Sequence, residues 1–448
     1  MKKLFALVLS LALALASVSA FASTPVAVNE LAYKGDLEII HFSTSEEADG
    51  NGGSDGFRTT MAVWDAAHPD INLKQNVLSN DEFKTRVAQL ALANDLPDVV
   101  ILQGMNTIDW ANQGLILDMT DIIKASPYYD KYNTGFFTPF TTPDGKIYGL
   151  PCLTGGTCTV VIYDKAMWKE AGYDTFPATW EEVEKADEYF AGKGIDTIAF
   201  GNKDQWQLNS DFVSCLGNRY TGPEWFSSLI TKGGAKFTDE AFVNALKETQ
   251  HLFHDTKIFN EDFNAIDNAD AREYFIAGDA AALISGNWDV EYIEAVLTKD
   301  NPEKLANVGF AVLPQPADAT YAPDSQNIGI GFAVAISSKV AENPDKLAAA
   351  IDLAYEITGP AFSSFVAENY ALGGLTDAGN VDLSKFSTLR QDFYKYSYVD
   401  TSTCEIYDSY ITSAVWNVLN ADMQAMVNGE KTPEEVAANA QAAYEANY

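Results

Sequence analysis

Residues 274–289 read Tyr-Phe-Ile-Ala-Gly-Asp-Ala-Ala-Ala-Leu-Ile-Ser-Gly-Asn-Trp-Asp. The small apolar run from Ala280 to Ile284 predicts a buried strand. Before it, a short helix carrying Phe275 is expected to end near Gly278, since glycine takes the left-handed cap conformation without steric cost. Gly286 breaks the strand, and Asn287, Trp288 and Asp289 follow at its carboxyl end. An indole between an amide and a carboxylate suits a polar ring ligand. The ligand's C–H face stacks on the ring while its hydroxyls bond the neighbours. Taken alone, such a tryptophan is more often a core aromatic.

Outward from this segment the chain alternates strands and helices. Leu37–Phe42 and Ile71–Val77 read as strands. Phe57, Met61 and Trp64 recur at helical spacing, in a helix that must stop before His68-Pro69. Asn80 is placed to cap a helix whose apolar face is Phe83, Val87, Leu90 and Ala91. Pro97-Asp98-Val99-Val100-Ile101-Leu102 is a buried parallel strand, and Gln103–Asn106 lies just past its carboxyl end, where open α/β sheets hold ligands. Thr179 with Glu182, and Thr432 with Glu435, have capping-box spacing. Ile195–Phe200 and Asn307–Leu313 are further strands, and Asn327–Val334 is a glycine-containing one. The alternation predicts an α/β protein with mainly parallel sheets flanked by helices.

The string Phe275-x-x-Gly278-Asp279-Ala280-Ala281, with Gly286 and Trp288 beyond it, resembles a signature of the extracellular solute-binding proteins of ABC importers. It is closest to their carbohydrate-binding family 1, which includes the maltose-binding protein. Further matches follow in order along nearly all of the chain: Pro97-Asp98-Val99-Val100, Asp144–Pro151, Val160–Lys165 (with Asp164 where the family has Asn) and Pro314-Gln315-Pro316. The resemblance implies a two-lobed periplasmic-binding-protein-like fold of type II with three hinge crossings, the third near Gly373-Gly374. Its lobes would comprise 23–150 with 314–372, and 151–313 with 373–448. It also implies that a sugar bridges the lobes, and that the closed form docks on a membrane permease driven by an ATPase.

Composition sets bounds on these readings. Lys2 and Lys3, the apolar run Leu4–Ala16 and Ala20-Phe21-Ala22 form an export signal over residues 1–22. No cysteine stands at that cleavage site, so the lipid anchor of many Gram-positive members is not expected, and retention at the cell is left open. The protein is expected in the periplasm or outside the cell. The net charge of −34 argues against nucleic acid and anionic membranes, which would repel it. The acidic surface serves solubility, and a monomer is expected. Export permits disulfides among Cys152, Cys158, Cys215 and Cys404, but spacing does not fix their pairing. Cys152 and Cys158 flank a loop flexible enough to close.

Catalysis is the rival class, as a secreted carbohydrate-active enzyme; a polysaccharide-binding adhesion protein is the other. Two carboxylates suffice for a glycosidase, and with 63 acidic residues chance pairs mean nothing. No nucleophile elbow, zinc motif or phosphate loop is present, and no cofactor or metal is expected. His251 and His254 stand three apart without obvious partners. In the Glu46–Gly56 loop, Ser54 and Thr60 occupy the places where a calcium hand needs Gly and Glu. The expected ligand set is therefore Ser43, Gln103 and Asn106 from the first lobe, and Trp206, Asn287, Trp288 and Trp416 from the second. Thr157 joins them beside the hinge. The resemblance places the three tryptophans as stacking aromatics, with a packing role also open for Trp416. Uncharged donors and acceptors dominate the set, as sugar hydroxyls require.

Overall fold

The computed structural model describes residues 31–44, 52–152, 154–367 and 383–447. The expected signal, most of the Glu46–Gly56 loop and the third crossing fall outside them.

The chain opens with β1 (Gly35–His41), α1 (Gly52–Ala67), β2 (Ile71–Val77), α2 (Asn80–Leu92) and β3 (Val99–Gln103). Phe57, Met61 and Trp64 of α1 all turn into the core, as do Phe83, Val87, Leu90 and Ala91 of α2. The cap of α2 differs from expectation. Ser79 holds the cap position, Asn80 is the first helical residue, and Ser79 Oγ donates to the Glu82 carboxylate at 3.1 Å. β4 (Leu150–Pro151), β5 (Thr154–Thr157) and β6 (Val160–Asp164) then carry the chain from one body to the other.

The second body contains α3 (Ser214–Thr221), α4 (Asn268–Ala277), β7 (Ala282–Ser285), α5 (Asn287–Asp300) and β8 (Val308–Ala311). Gly278 closes α4 with φ +88°, in the left-handed region the sequence called for. The return runs through β9 (Ser325–Ile330) and β10 (Phe332–Ile336) to α6 (Pro344–Glu356). Asn343 caps α6, its side chain accepting from the N–H groups of Asp345 and Lys346. Last come β11 (Ser402–Glu405), α7 (Ser413–Val427) and α8 (Pro433–Asn447). The capping box at Thr432 forms in full: Thr432 N–H donates to Glu435 at 2.8 Å and Glu435 N–H to Thr432 Oγ1 at 3.3 Å. The one expected at Thr179 does not, because the Thr179 side chain makes no cap bond and its backbone is drawn into a bridge with Gln315.

Three sheets result. The first lobe has the order β2-β1-β3-β10-β4, with β10 alone running against the others. In the second lobe β6 runs between β7 and β8, antiparallel to both. The strand expected at Ile195–Phe200 is reduced to single parallel bridges, Asp196–Ala280, Ile198–Phe259 and Ala199–Leu283. Each lobe keeps its own apolar core. The third sheet, β11-β9-β5, lies between them at the hinge.

The expected strand Asn327–Val334 is therefore two strands divided at Gly331, one in the hinge and one in the first lobe. Arg219 of α3 donates to the carbonyls of Leu313 and Pro314, and Tyr220 donates to Asp318 at 2.6 Å, which ties residues 313–318 to that helix.

Candidate functional site

On the second lobe the site begins where β7 stops. Gly286 is extended and precedes α5, whose first residues are Asn287 and Trp288, both half-buried. A Cβ on Gly286 would lie 2.3 Å from Trp288 ring carbons, so only glycine lets the indole fold back over the backbone. Asp289 is fully buried and accepts from Arg272 Nη1 (2.9 Å), Asn268 Nδ2 (2.7 Å) and Ser285 Oγ (2.6 Å). These bonds pin the start of α5 to α4. Asp289 is thus committed to protein partners.

The indole of Trp206 stands 5.7 Å from that of Trp288, at 64° in an edge-to-face pair. A loop at the end of the 195–200 segment delivers Trp206. Asn202, buried in that loop, accepts from Leu208 N–H at 3.1 Å and donates to Asn264 at 2.7 Å. Gln205, in the left-handed region at φ +69°, donates to Gln424 of α7 at 2.7 Å. Across the gap, the first lobe sets the Lys84 ammonium of α2 5.2 Å from the Trp206 ring centre.

On the first lobe, Ser43 follows β1, buried, with its N–H donating to His41 Nδ1 at 3.1 Å. That bond makes Nδ1 the acceptor and leaves Nε2–H to donate to Gln75 Oε1 at 3.1 Å. Burial pushes the His41 imidazole down to about 4, so it stays neutral. Half-buried Gln103 and Asn106 flank a tight turn at the end of β3. Within that turn Gly104 meets the second lobe, where a Cβ would lie 2.3 Å from the Ser409 carbonyl oxygen. Ser413 Oγ of α7 donates to Asp109 Oδ2 at 2.9 Å, a hydrogen bond between the lobes. Trp416 lies one turn further along α7, half-buried, packed partly against the second-lobe core.

Several polar atoms here are buried without a hydrogen-bond partner among the described residues. They are Ser43 Oγ and Thr107 Oγ1 on the first lobe, and on the second the Gln207 amide, both Asp211 oxygens, Thr412 Oγ1 and Trp416 Nε1. Burial first, then the charges of Asp289 and Asp408, push the Asp211 carboxyl well above the ordinary carboxylate range. Asp204 is raised to about 6, by burial first, then by the charge of Asp81 on α2 and a hydrogen bond with it.

A family model described as bacterial extracellular solute-binding protein matches residues 51–356. The chain belongs to that family. No curated protein matches this solute-binding protein. Among solved structures, a chitin oligosaccharide binding protein superposes with a TM-score of 0.78 at 22% identity, covering 92% of this chain and 98% of the other. A maltose-bound protein of T. maritima, MalE3, superposes at 0.72 and 16%, covering 92% and 100%. A solute-binding protein of an ABC transporter from Thermotoga lettingae, bound with α-D-tagatose, gives 0.69 and 19%, covering 92% and 100%. At these identities the likeness establishes the fold: the two-lobed architecture.

In this solute-binding protein, then, the structure brings Trp206, Trp288 and Asn287 to one lip of the second lobe. Gln103 and Asn106 come beside the start of α7, with Trp416 one turn on, and Ser43 sits at the end of β1. Thr157 ends β5 in the hinge sheet, and its side chain lies outside the described residues. Lys84, Asp81, Thr107, Gln207 and Asp211 were missed. Lys84 stands beside Phe83 on an amphipathic helix and reads as a solvated position; nothing local says that a second lobe faces it. His251 is occupied, near Glu184 at 3.6 Å and Asp255 at 3.5 Å. Among the described residues no helix is long and apolar enough to cross a membrane.

Proposed function

We propose that the protein is an extracytoplasmic receptor that captures a mono- or oligosaccharide between its lobes and presents it to the permease of an ABC importer. The observation that carries this reading is the Trp206–Trp288 edge-to-face pair, set at a strand end on one lobe and opposed by Lys84 from the other. Two indoles at an angle offer a sugar ring one face to stack on and a wall beside it. The orphaned hydroxyls, amide and indole N–H supply donors and acceptors for its hydroxyls. Ser43, Gln103, Asn106, Thr157, Trp206, Asn287, Trp288 and Trp416 form the ligand set. The family is one of extracellular carriers, and the superposed proteins named for chitin oligosaccharide, maltose and tagatose support a carbohydrate over other solutes.

Binding without turnover is the expected behaviour, carried by a monomer outside the cytoplasm. In this reading the sugar leaves by transport, so the site needs no nucleophile. Calorimetry of the purified chain against a panel of mono- and oligosaccharides, with chromatography of the recovered sugar, tests both halves. A bound sugar recovered intact is the expected result. Silence across the panel, or shortened products, would reject the proposal.

A further inference from the structure

We propose that Cys215 and Cys404 close a disulfide that ties hinge strand β11 to helix α3 of the second lobe. The fold brings these two thiols, 189 positions apart in sequence, to the same strand of the hinge sheet. Cys215 is fully buried on α3 and its Sγ donates to the Ser325 carbonyl of β9 at 3.4 Å. β11 runs parallel beside β9, with Ser402 opposite Ser325 and Cys404 opposite Asn327. Both cysteines are therefore held against one strand of the hinge sheet, and helix α3, which carries Cys215, packs directly on β11, which carries Cys404. Both are thiols in the structure.

Their environments are unequal in the way exchange chemistry needs. The hydrogen bond from Cys404 and the guanidinium of Arg219, one turn along α3, hold the Cys215 thiol below its ordinary range against the opposing effect of burial. Arg219 Nη2 reaches the same Ser325 carbonyl at 3.1 Å, which fixes it beside the sulfur. The hydrogen bond to Cys215, then burial, raises the Cys404 thiol. Cys215 is the attacking sulfur and Cys404 the resolving one.

The oxidant is a disulfide, RSSR, of the exported compartment, which the extracellular placement of the family supplies. The Cys215 thiolate attacks one sulfur of RSSR and expels RS⁻, which takes up the proton Cys215 gave up. Cys404 then loses its proton and attacks the Cys215 sulfur, expelling the second RS⁻ as RSH. Two protein thiols and one RSSR become one protein disulfide and two RSH. Because Cys215 is sealed in the finished fold, the first attack precedes the docking of α3 on the hinge sheet, when Arg219, four residues on along the same helix, is the neighbour that still favours the Cys215 thiolate. Once closed, the bond makes β11 part of the second lobe and confines hinge flexing to β5 and β9.

The test is refolding of the full chain with oxidised glutathione, alkylation under denaturing conditions without reductant, and peptide mapping. A linked pair of peptides containing Cys215 and Cys404 is expected. Finding both peptides singly alkylated, or either joined to Cys152 or Cys158, would overturn the assignment. Thermal melts give a second readout. Reductant should lower the melting temperature of the oxidised wild type by about 5 °C or more, because the closed loop is long. Cys215→Ser, Cys404→Ser and the double variant should share that lower value and ignore reductant. Melting that is indifferent to reductant in the wild type also rejects the bond. Sugar calorimetry does not enter either readout, so this inference and the receptor reading fail separately.

Discussion

At the scale of single residues, Trp288 and Gly286 act as one unit, since the indole occupies the space a side chain at 286 would need. Trp288→Ala should weaken sugar binding tenfold to a hundredfold, roughly 1.4–3 kcal/mol, while the melting temperature holds because the ring is half-exposed. Gly286→Ala should reproduce much of that loss by displacing the ring. Calorimetry on both variants checks this, and unchanged affinity in Trp288→Ala would place the sugar elsewhere. His41 allows a different prediction, of stability. Its folded value near 4 lies below the ordinary 6.5, so the unfolded chain binds a proton first as pH falls. The stability contributed by neutral His41 is whole above about 6.5 and is lost as pH drops through 4, to at most about 3 kcal/mol. Urea unfolding between pH 7 and 4 should show a shallower acid slope in His41→Asn than in wild type. Equal slopes would mean that other groups govern acid sensitivity.

At the scale of elements, the turn after β3 is where the first lobe meets the second. A methyl at 104 would strike the Ser409 carbonyl oxygen at 2.3 Å and the Pro139 Cβ at 2.7 Å. Gly104→Ala should therefore disfavour the closed arrangement, lowering sugar affinity while leaving the two lobe cores folded. Scattering in saturating sugar should show a larger radius of gyration than wild type, and an equal radius would refute this. The same turn shows what a sequence can reveal. The end of β3 is legible because Val99–Leu102 is one unbroken apolar run, and a parallel strand's carboxyl end is where ligands sit. Likewise Ala280–Gly286 carries a strand and its break within seven residues, and both form, while the helix that begins at Asn287 was not read from the sequence. What faces these ends is not legible. Lys84 and Trp206, or Asp109 and Ser413, are joined by no periodicity, only by the closing of two bodies. The split of Asn327–Val334 into β9 and β10 escaped for a related reason. A strand that changes sheets keeps its apolar character throughout, and only the glycine at 331 marks the break.

At the scale of the whole molecule, the lobes meet through a pair of acids. Asp81 on α2 faces Asp204 on the second-lobe loop, and after burial its charge is the largest influence holding the Asp204 carboxyl up. Lys84 lies 3.5 Å from Asp81 and stands over Trp206, while Asp204 also feels the charges of Asp267 and Lys203. With the lobes apart, Asp204 loses the charge of Asp81 and its value falls towards the ordinary 3.8; with the lobes together it is about 6. Closing therefore takes up a proton in the window between these values. The sign follows from linkage: the closed form gains on the open one as pH falls from about 6 towards 4, and above 6 the two carboxylates repel across the mouth. Since the sugar binds the closed form, its affinity should rise as pH drops through this window, by no more than about tenfold per pH unit and by less with salt and solvent screening the pair. Asp204→Asn keeps a donor for Asp81 at every pH. It should bind more tightly than wild type at pH 7 and lose most of the pH dependence, while Asp267→Asn should keep the slope. Calorimetric titrations of the three proteins at pH 4.5, 5.5, 6.5 and 7.5 decide the matter. Parallel profiles for wild type and Asp204→Asn would show that the acids meet without governing closure, and the pH response would then have to come from groups inside the cleft, Asp211 first among them.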